Sequence, residues 1–184
     1  AIESMYRICP GLAMTYAAHS NLCANNIYKN GLEHQKKKHL PGLTAGTQVG
    51  ALGLTEPGAG SDAMGIRTTA REEGGGFVLN GTKMFVTNAP VADMAVVFAT
   101  VDPSKGMWGI TAFIVEKGTP GFTVSQHIDK MGLRTSPMGE LIFQDCFLPE
   151  ENRLGPEGAG APPENQALAV LITPETPYGN GSIG

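Results

Sequence analysis

The chain has 184 residues, 41% of them hydrophobic, and a formal net charge of −4 at pH 7. That is enough for one buried core, and the dispersed basic residues leave no electrostatic footprint for nucleic acid. The longest apolar runs, such as residues 94–101, are far short of a helical bilayer span, and no charged segment followed by an apolar one opens the chain. Cys9, Cys23 and Cys146 are odd in number and lack a C-x-x-C spacing, which favours reduced thiols over a disulfide framework. His19, His34, His39 and His127 are scattered without metal-ligand spacing, so no metal is expected.

Residues 1–9 are compatible with the end of a helix stopped by Pro10-Gly11. From there Leu12, Tyr16, His19, Cys23 and Ile27 recur at three and four, the mark of one buried helical face, with Gly31 as its cap. On that stripe His19 reads as a satisfied core histidine. Residues 32–40 read as a second short helix ended by Pro41-Gly42, with Lys36, Lys37 and Lys38 on its solvated face. The apolar Val49-Gly50-Ala51-Leu52 then feeds a glycine-rich loop over residues 53–65. Pro57 and Gly58 force a turn, and Gly58 and Gly60 let backbone amides approach a bound group with no Cβ in the way. Thr55, Ser61 and the amides of residues 60–62 would offer neutral donors to a phosphate or a polar ring edge. A plain Gly/Pro connector is the other reading. The spacing is neither a Rossmann fingerprint nor a Walker A loop.

Beyond the loop the period changes to two. Residues 65–71 read as a strand, and Phe77-Val78-Leu79 leads into Asn80-Gly81, a strong hairpin-turn signal, with residues 82–88 returning from it. The β-branched apolar runs 94–101 and 110–116 read as central strands. Residues 121–127 and 140–148 continue the series, the latter with Leu141, Phe143 and Phe147 alternating against Glu140, Gln144 and Cys146. At least six short strands imply a closed or sandwich-like β-domain with two helices packed on it, an α+β fold. The periodicity ends near Gly155, and residues 156–184 read as mostly irregular.

The run Gly53-Leu54-Thr55-Glu56-Pro57-Gly58-Ala59-Gly60-Ser61-Asp62 resembles the flavin-binding signature of the acyl-CoA dehydrogenases: small, aliphatic, Ser or Thr, Glu, two variable residues, small, then Gly-Ser-Asp. Residues 80–88 are similar to that family's second flavin segment, and residues 109–120 and 130–134 to its later strands and loop. The resemblance covers residues 12–160. Within the family, residues 18–23, 109–118 and 140–146 are most similar to the isovaleryl-CoA branch. The resemblance implies an N-terminal helical domain, a middle β-barrel and a C-terminal four-helix domain, with FAD held between the last two and across a subunit interface. Residues 1–47 would then be the end of the first domain, 48–155 the middle domain and 156–184 a tail, with the C-terminal domain missing.

Carried over by position, Leu52, Leu54 and Thr55 would contact the flavin through backbone and hydroxyl groups. Gly60 and Ser61 would face the pyrophosphate, and Ser61 would also contact the acyl-CoA substrate. Phe85, where the family often has Trp, would cover one face of the isoalloxazine, and Val86 and Thr87 would complete the set, Thr87 near N5. For Phe85 an inward core position is the other reading. The activity implied is FAD-dependent α,β-dehydrogenation of a short or branched acyl-CoA, in leucine or fatty-acid breakdown. Electron-transfer flavoprotein would be the acceptor, and the full-length enzymes are homotetramers of the mitochondrial matrix or bacterial cytoplasm. The family takes its catalytic base from a glutamate of the C-terminal domain, and the pattern departs from the family near Ala161, so no residue here inherits that role. Glu56 reads as a structural loop carboxylate, and Glu175, between Pro174 and Pro177, is not expected to act as the base. By itself the chain is therefore not expected to oxidise acyl-CoA. The alternatives are a non-catalytic interaction module on the same barrel and an acyl-CoA oxidase-type flavoenzyme.

Overall fold

The structure, a computed structural model, describes residues 2–125 and 128–155. The tail expected at 156–184, Glu175 within it, and His127 at the end of the expected strand 121–127 lie outside the described residues.

Helices α1 (Ile2–Ile8) and α2 (Pro10–Ala17) are separated only by the extended Cys9. The first helix stops before Pro10 as expected, and Pro10 itself begins the next one, because at a first-turn position its missing N–H leaves no bond unmade. A π-helical segment (Ala18–Ala24) follows, then α3 (Asn25–Asn30). The expected buried stripe is only half present. Cys23 and Ile27 are fully buried, but Leu12 and Tyr16 are 53% and 43% exposed, and Ala13, Ala17 and Ala18 face inward in their place. The wider π turn rotates the residues after it relative to those before, so a stripe drawn at a constant 3.6 residues per turn crosses to the other face.

Helix α4 (Glu33–Ala45) runs straight through Pro41-Gly42, where its end was expected, and stops at the left-handed Gly46. Proline inside a helix costs about 3 kcal/mol. Anchors on both sides offset that cost. Leu43 is 1% exposed, the Gly42 carbonyl accepts N–H bonds from Thr47 and Gln48 at 3.1 Å, and Gln35 Nε2 donates to the carbonyls of Glu151 and Arg153 at 2.8 Å. Lys37 and Lys38 lie on the exposed face as expected, Lys38 reaching Glu116.

The strands are β1 (Gly50–Gly53), β2 (Thr69–Glu73), β3 (Gly76–Thr87), β4 (Met94–Thr100), β5 (Ile110–Glu116), β6 (Phe122–Val124), β7 (Met138–Pro149) and β8 (Arg153–Leu154). They form one mixed sheet in the order β6-β7-β3-β2-β4-β5-β8, with β1 parallel to β4. The sheet bends barrel-fashion around a core that joins Leu79, Leu141 and Phe143 from one half to Ala95, Val97 and Phe113 from the other. The opposite face of β4, with Met94, Val96 and Phe98, packs on Cys23, Ile27 and Leu43 of the helices. Both faces of β4 are dry, which is why its sequence is a continuous apolar run.

Two expectations for the sheet are corrected. Asn80-Gly81 is not a hairpin turn but lies inside the unbroken strand β3. The turn joining β2 to β3 is Gly74-Gly75, both with positive φ (59° and 80°), as a tight hairpin loop requires. At Asn80-Gly81 the pairing slips by one residue, Leu79 facing Cys146 and Gly81 facing Phe143, so β7 carries a bulge at Gln144-Asp145. Asn80 Oδ1 accepts the Asp145 N–H at 2.9 Å, and Asp145 sits at φ 46°. The bulge reverses the phase of β7: Cys146 is buried and Phe147 is 42% exposed, the opposite of the simple alternation.

Gly81 combines φ 146° with a site where a Cβ would lie 2.5 Å from Thr68 Oγ1, whereas a Cβ on Gly74 would meet nothing within 4 Å. In urea unfolding, Gly81→Ala is expected to cost about 3 kcal/mol and Gly74→Ala about 1 kcal/mol. Equal losses at the two positions would contradict the placement of bulge and turn.

Candidate functional site

The loop after β1 is organised by one buried carboxylate. Glu56 is 7% exposed; its Oε1 accepts from Lys83 Nζ at 2.6 Å and from the Thr68 N–H at 2.9 Å, and its Oε2 accepts from the Arg67 N–H at 2.6 Å. Residues 55–56 and 67–68, the two ends of the loop, are thereby clasped together. A two-way backbone pair between Glu56 and Ala59, at 3.0 and 3.2 Å, tightens the turn through Pro57-Gly58. Lys83, fully buried on β3, gives its second hydrogen bond to the Leu54 carbonyl at 3.1 Å.

Burial pushes the Lys83 ammonium down to about 8, against the pull of Glu56. For Glu56, burial acts to raise the carboxyl. The hydrogen bonds from Lys83, Thr68 and Arg67 outweigh it and hold the group below its ordinary value. Glu56 is thus the structural loop carboxylate that its sequence setting implied.

A second link joins the loop to β3: the Met84 N–H donates to the Thr55 carbonyl at 2.8 Å. Between Lys83, opposite Leu141, and Val86, opposite Gly139, β3 carries an extra residue relative to β7. The bulge places Phe85 at φ 55° with its side chain 56% exposed. An inward core position for Phe85 is therefore excluded; a bulge re-aims a side chain away from the sheet's normal alternation. Val86 is 2% exposed and packs in the inner core, so only its backbone can face a ligand. Thr87 is half-buried opposite Met138, and Leu52 and Leu54 pack at the border of the helix-side core.

Gly60 and Ser61 are exposed at the loop tip. The N–H groups of Gly60, Ser61 and Asp62 have no hydrogen-bond partner among the described residues. A Cβ on Gly58 or Gly60 would meet nothing within 4 Å, and neither has a left-handed φ. The chain's own packing thus makes no demand for glycine at either place. Open space above free amides is what a close-approaching anion needs.

Sequence reasoning named Lys83 only as part of a motif and missed its role. Its signal was a lone lysine in an apolar strand with a lone glutamate in the neighbouring loop. Asn88 was missed as well: fully buried at φ 71°, it donates Nδ2 to the carbonyls of Thr15 (3.0 Å) and Gly50 (3.2 Å), and its N–H to the Pro137 carbonyl (2.8 Å). It ties α2 to the sheet beside Thr87. His19 does similar work, accepting the Gly50 N–H at Nδ1 (3.0 Å) and facing the Leu43 carbonyl with Nε2 (3.1 Å), in keeping with a structural histidine. Burial pushes the thiols of Cys23 and Cys146 up to about 12 and about 11, which makes them poor nucleophiles.

Because the folded-state value of Glu56 is depressed, its contribution to stability is complete above the ordinary carboxylate range and is lost as pH falls through the folded value. Lys83→Met removes the counter-charge and leaves the burial, which raises that value. The variant is expected to lose about 3–5 kcal/mol at pH 7, with the gap to the wild type closing below the carboxylate range, where Lys83 itself is left unpaired. Thermal unfolding between pH 3 and 7 checks this; a gap independent of pH would count against it.

The family models for the acyl-CoA dehydrogenase N-terminal domain and the acyl-CoA dehydrogenase middle domain match residues 1–47 and 51–146. The chain is 49% identical over 160 residues to mitochondrial isovaleryl-CoA dehydrogenase of Arabidopsis thaliana, covering 87% of this chain and 39% of that protein. Among solved structures, butyryl-CoA dehydrogenase from Megasphaera elsdenii aligns with a TM-score of 0.84 and 48% identity, over 92% of this chain and 44% of that one. An acyl-CoA dehydrogenase from Bacillus anthracis complexed with FAD aligns with a TM-score of 0.81 and 40% identity, over 93% of this chain and 29% of that one. The chain thus spans less than half the length of these relatives, and it belongs to the acyl-CoA dehydrogenase family, whose members are oxidoreductases.

Proposed function

We propose that this chain supplies the flavin-holding part of an FAD-dependent acyl-CoA dehydrogenase acting on a short or branched acyl-CoA. The observation that carries the reading is the pairing of two segments. An exposed loop with three free amides (Gly60, Ser61, Asp62) is fastened beside a bulge that displays an aromatic ring (Phe85). Neutral donors suit a pyrophosphate without demanding a counter-ion, and an exposed ring suits the face of a flavin. In this reading Gly60 and Ser61 hold the pyrophosphate, and Leu52, Leu54 and Thr55 border the ring system. Phe85 covers one face, and the Val86 backbone and the Thr87 hydroxyl lie along its edge. Ser61 also meets the thioester substrate.

Held by these residues, FAD would supply the hydride acceptor for the β-carbon of the substrate. The chain's own part is to bind and orient. The base that takes the α-proton comes from outside the described residues, since Glu56 is committed to Lys83 and to two backbone amides. Residues 1–47 act as the end of a helical domain, and residues 48–155 as the flavin domain. The whole enzyme, in a mitochondrial matrix or a bacterial cytoplasm, passes electrons to electron-transfer flavoprotein and assembles as a homotetramer.

FAD titrated into the purified chain is expected to bind, and anaerobic addition of isovaleryl-CoA or butyryl-CoA is expected to leave the flavin oxidised. Bleaching would overturn the placement of the base; failure to bind would favour an interaction module over a flavin domain. Gly60→Ala supplies an internal check: stability should stay within about 0.5 kcal/mol of wild type, since the new methyl meets no protein atom, while FAD affinity falls.

A further inference from the structure

We infer that Lys83, acting through Glu56 and the Leu54 carbonyl, is a positioning residue that holds the loop tip at 58–62 and the Phe85 ring in one fixed relation, aligning both halves of the flavin contact set. The inference rests on the proposed flavin function and adds to it a residue that is not itself in the contact set but bonds to the Leu54 carbonyl within it. The geometry separates two tasks within one cluster. Glu56 closes the loop on itself through the amides of Arg67, at Oε2, and Thr68, at Oε1, and these bonds need acceptor oxygens, not a counter-charge. Lys83 instead fastens the closed loop to β3, two positions before Phe85 and at the edge of the bulge that exposes it. Apart from Lys83, the polar link between residues 54–56 and β3 among the described residues is the single bond from the Met84 N–H to the Thr55 carbonyl.

Gly53 shows how tightly this seam is built: a Cβ there would lie 3.1 Å from both Lys83 Cγ and Leu141 Cδ1. The stem of Lys83 therefore also forms the wall against which the end of β1 rests. A methionine of similar length preserves that wall and removes only the ammonium. A glutamine at position 56 keeps one acceptor oxygen, for the Thr68 amide, while its NH2 replaces the oxygen that faces the Arg67 amide and the carboxylate charge is lost. The Lys83→Met/Glu56→Gln double variant thus keeps the loop tied at Thr68 and avoids a lone buried charge, but it lacks the ammonium that bonds the loop to the strand. Pairs replaced together in this way are tolerated far better than pairs broken on one side.

The test is FAD titration of the wild-type chain and the double variant, followed by flavin fluorescence and visible circular dichroism, with amide exchange of both proteins without flavin. The double variant is expected to unfold cooperatively and to bind FAD about tenfold more weakly, with an altered visible dichroism band, because small displacements of a positioned group have large effects on alignment. Its Met84 amide is expected to exchange faster while the Thr68 amide stays protected. Wild-type affinity together with an unchanged dichroism band overturns the inference, as does unchanged exchange at Met84. A fold staple alone would expose Met84 and Thr68 together, and that outcome also overturns it. Should the double variant fail to fold, Lys83→Met alone, which also removes the ammonium, gives the same readouts, with the same expectations. A wild-type chain that takes up no FAD overturns the proposed function and this inference with it, and is distinguished from the other outcomes by the wild-type titration.

Discussion

A single ion pair in a dry interior, Lys83 with Glu56, fixes the relation between the helix-side loop and the sheet. Neither charge can reach water: Lys83 is fully buried and Glu56 nearly so. Removing two charges from solvent costs several kcal/mol each, and a pair of apolar residues would be cheaper. What the pair provides is direction. Each charged group has further hydrogen-bonding capacity, spent on the Leu54 carbonyl by the ammonium and on the Arg67 and Thr68 amides by the carboxylate. Three backbone segments thereby acquire one allowed arrangement, which a greasy contact would leave free to slide.

The departures from ideal sheet geometry gather along β3 and β7, and each has a local cause. Phe85 and Asp145 take positive φ because each sits in a bulge, and Asn88 takes it where the strand gives way to a short helical turn. For Asn the left-handed region is cheap; for Phe it costs on the order of 1–3 kcal/mol and persists only where the surroundings over-determine it. The surroundings do so here: Val86 is pinned in the core on one side of Phe85, and Lys83 is pinned by Glu56 on the other. The exposed aromatic ring is thus held out by the structure beneath it.

The helical segment shows the same contest between local rule and tertiary packing. Pro41 should have ended α4, yet the helix continues because Leu43 must reach the core and the carbonyls around Gly42 are taken up by the next turn of chain. The π-helical segment at Ala18–Ala24 lets small alanines, and not Leu12 or Tyr16, face the sheet. Asn88 and His19 then stitch the helices to β1 by hydrogen bonds to backbone atoms that no side-chain pattern reveals.

Composition and local pattern determined the class of this protein: helices first, then short strands with turn signals, and a glycine-rich loop built for close approach. The continuous apolar runs of β4 and β5 were legible because burial on both faces leaves no room for a polar residue, whatever the partners. The family was legible because a contiguous ten-residue loop signature needs no tertiary contact to be read. Register was not legible. Asn80-Gly81 satisfies the local rule for a hairpin turn equally well as it satisfies a bulge, and only Thr68, just before β2, and Asp145, brought there by the distant β7, decide between them. The phase of Cys146 and Phe147 follows from that bulge, the outward aim of Phe85 from the second bulge between Lys83 and Val86, and the partnership of Lys83 with Glu56 from the loop laid against β3. Each is a choice between local states that differ by a kcal/mol or so, settled by long-range contacts that no short stretch of sequence contains.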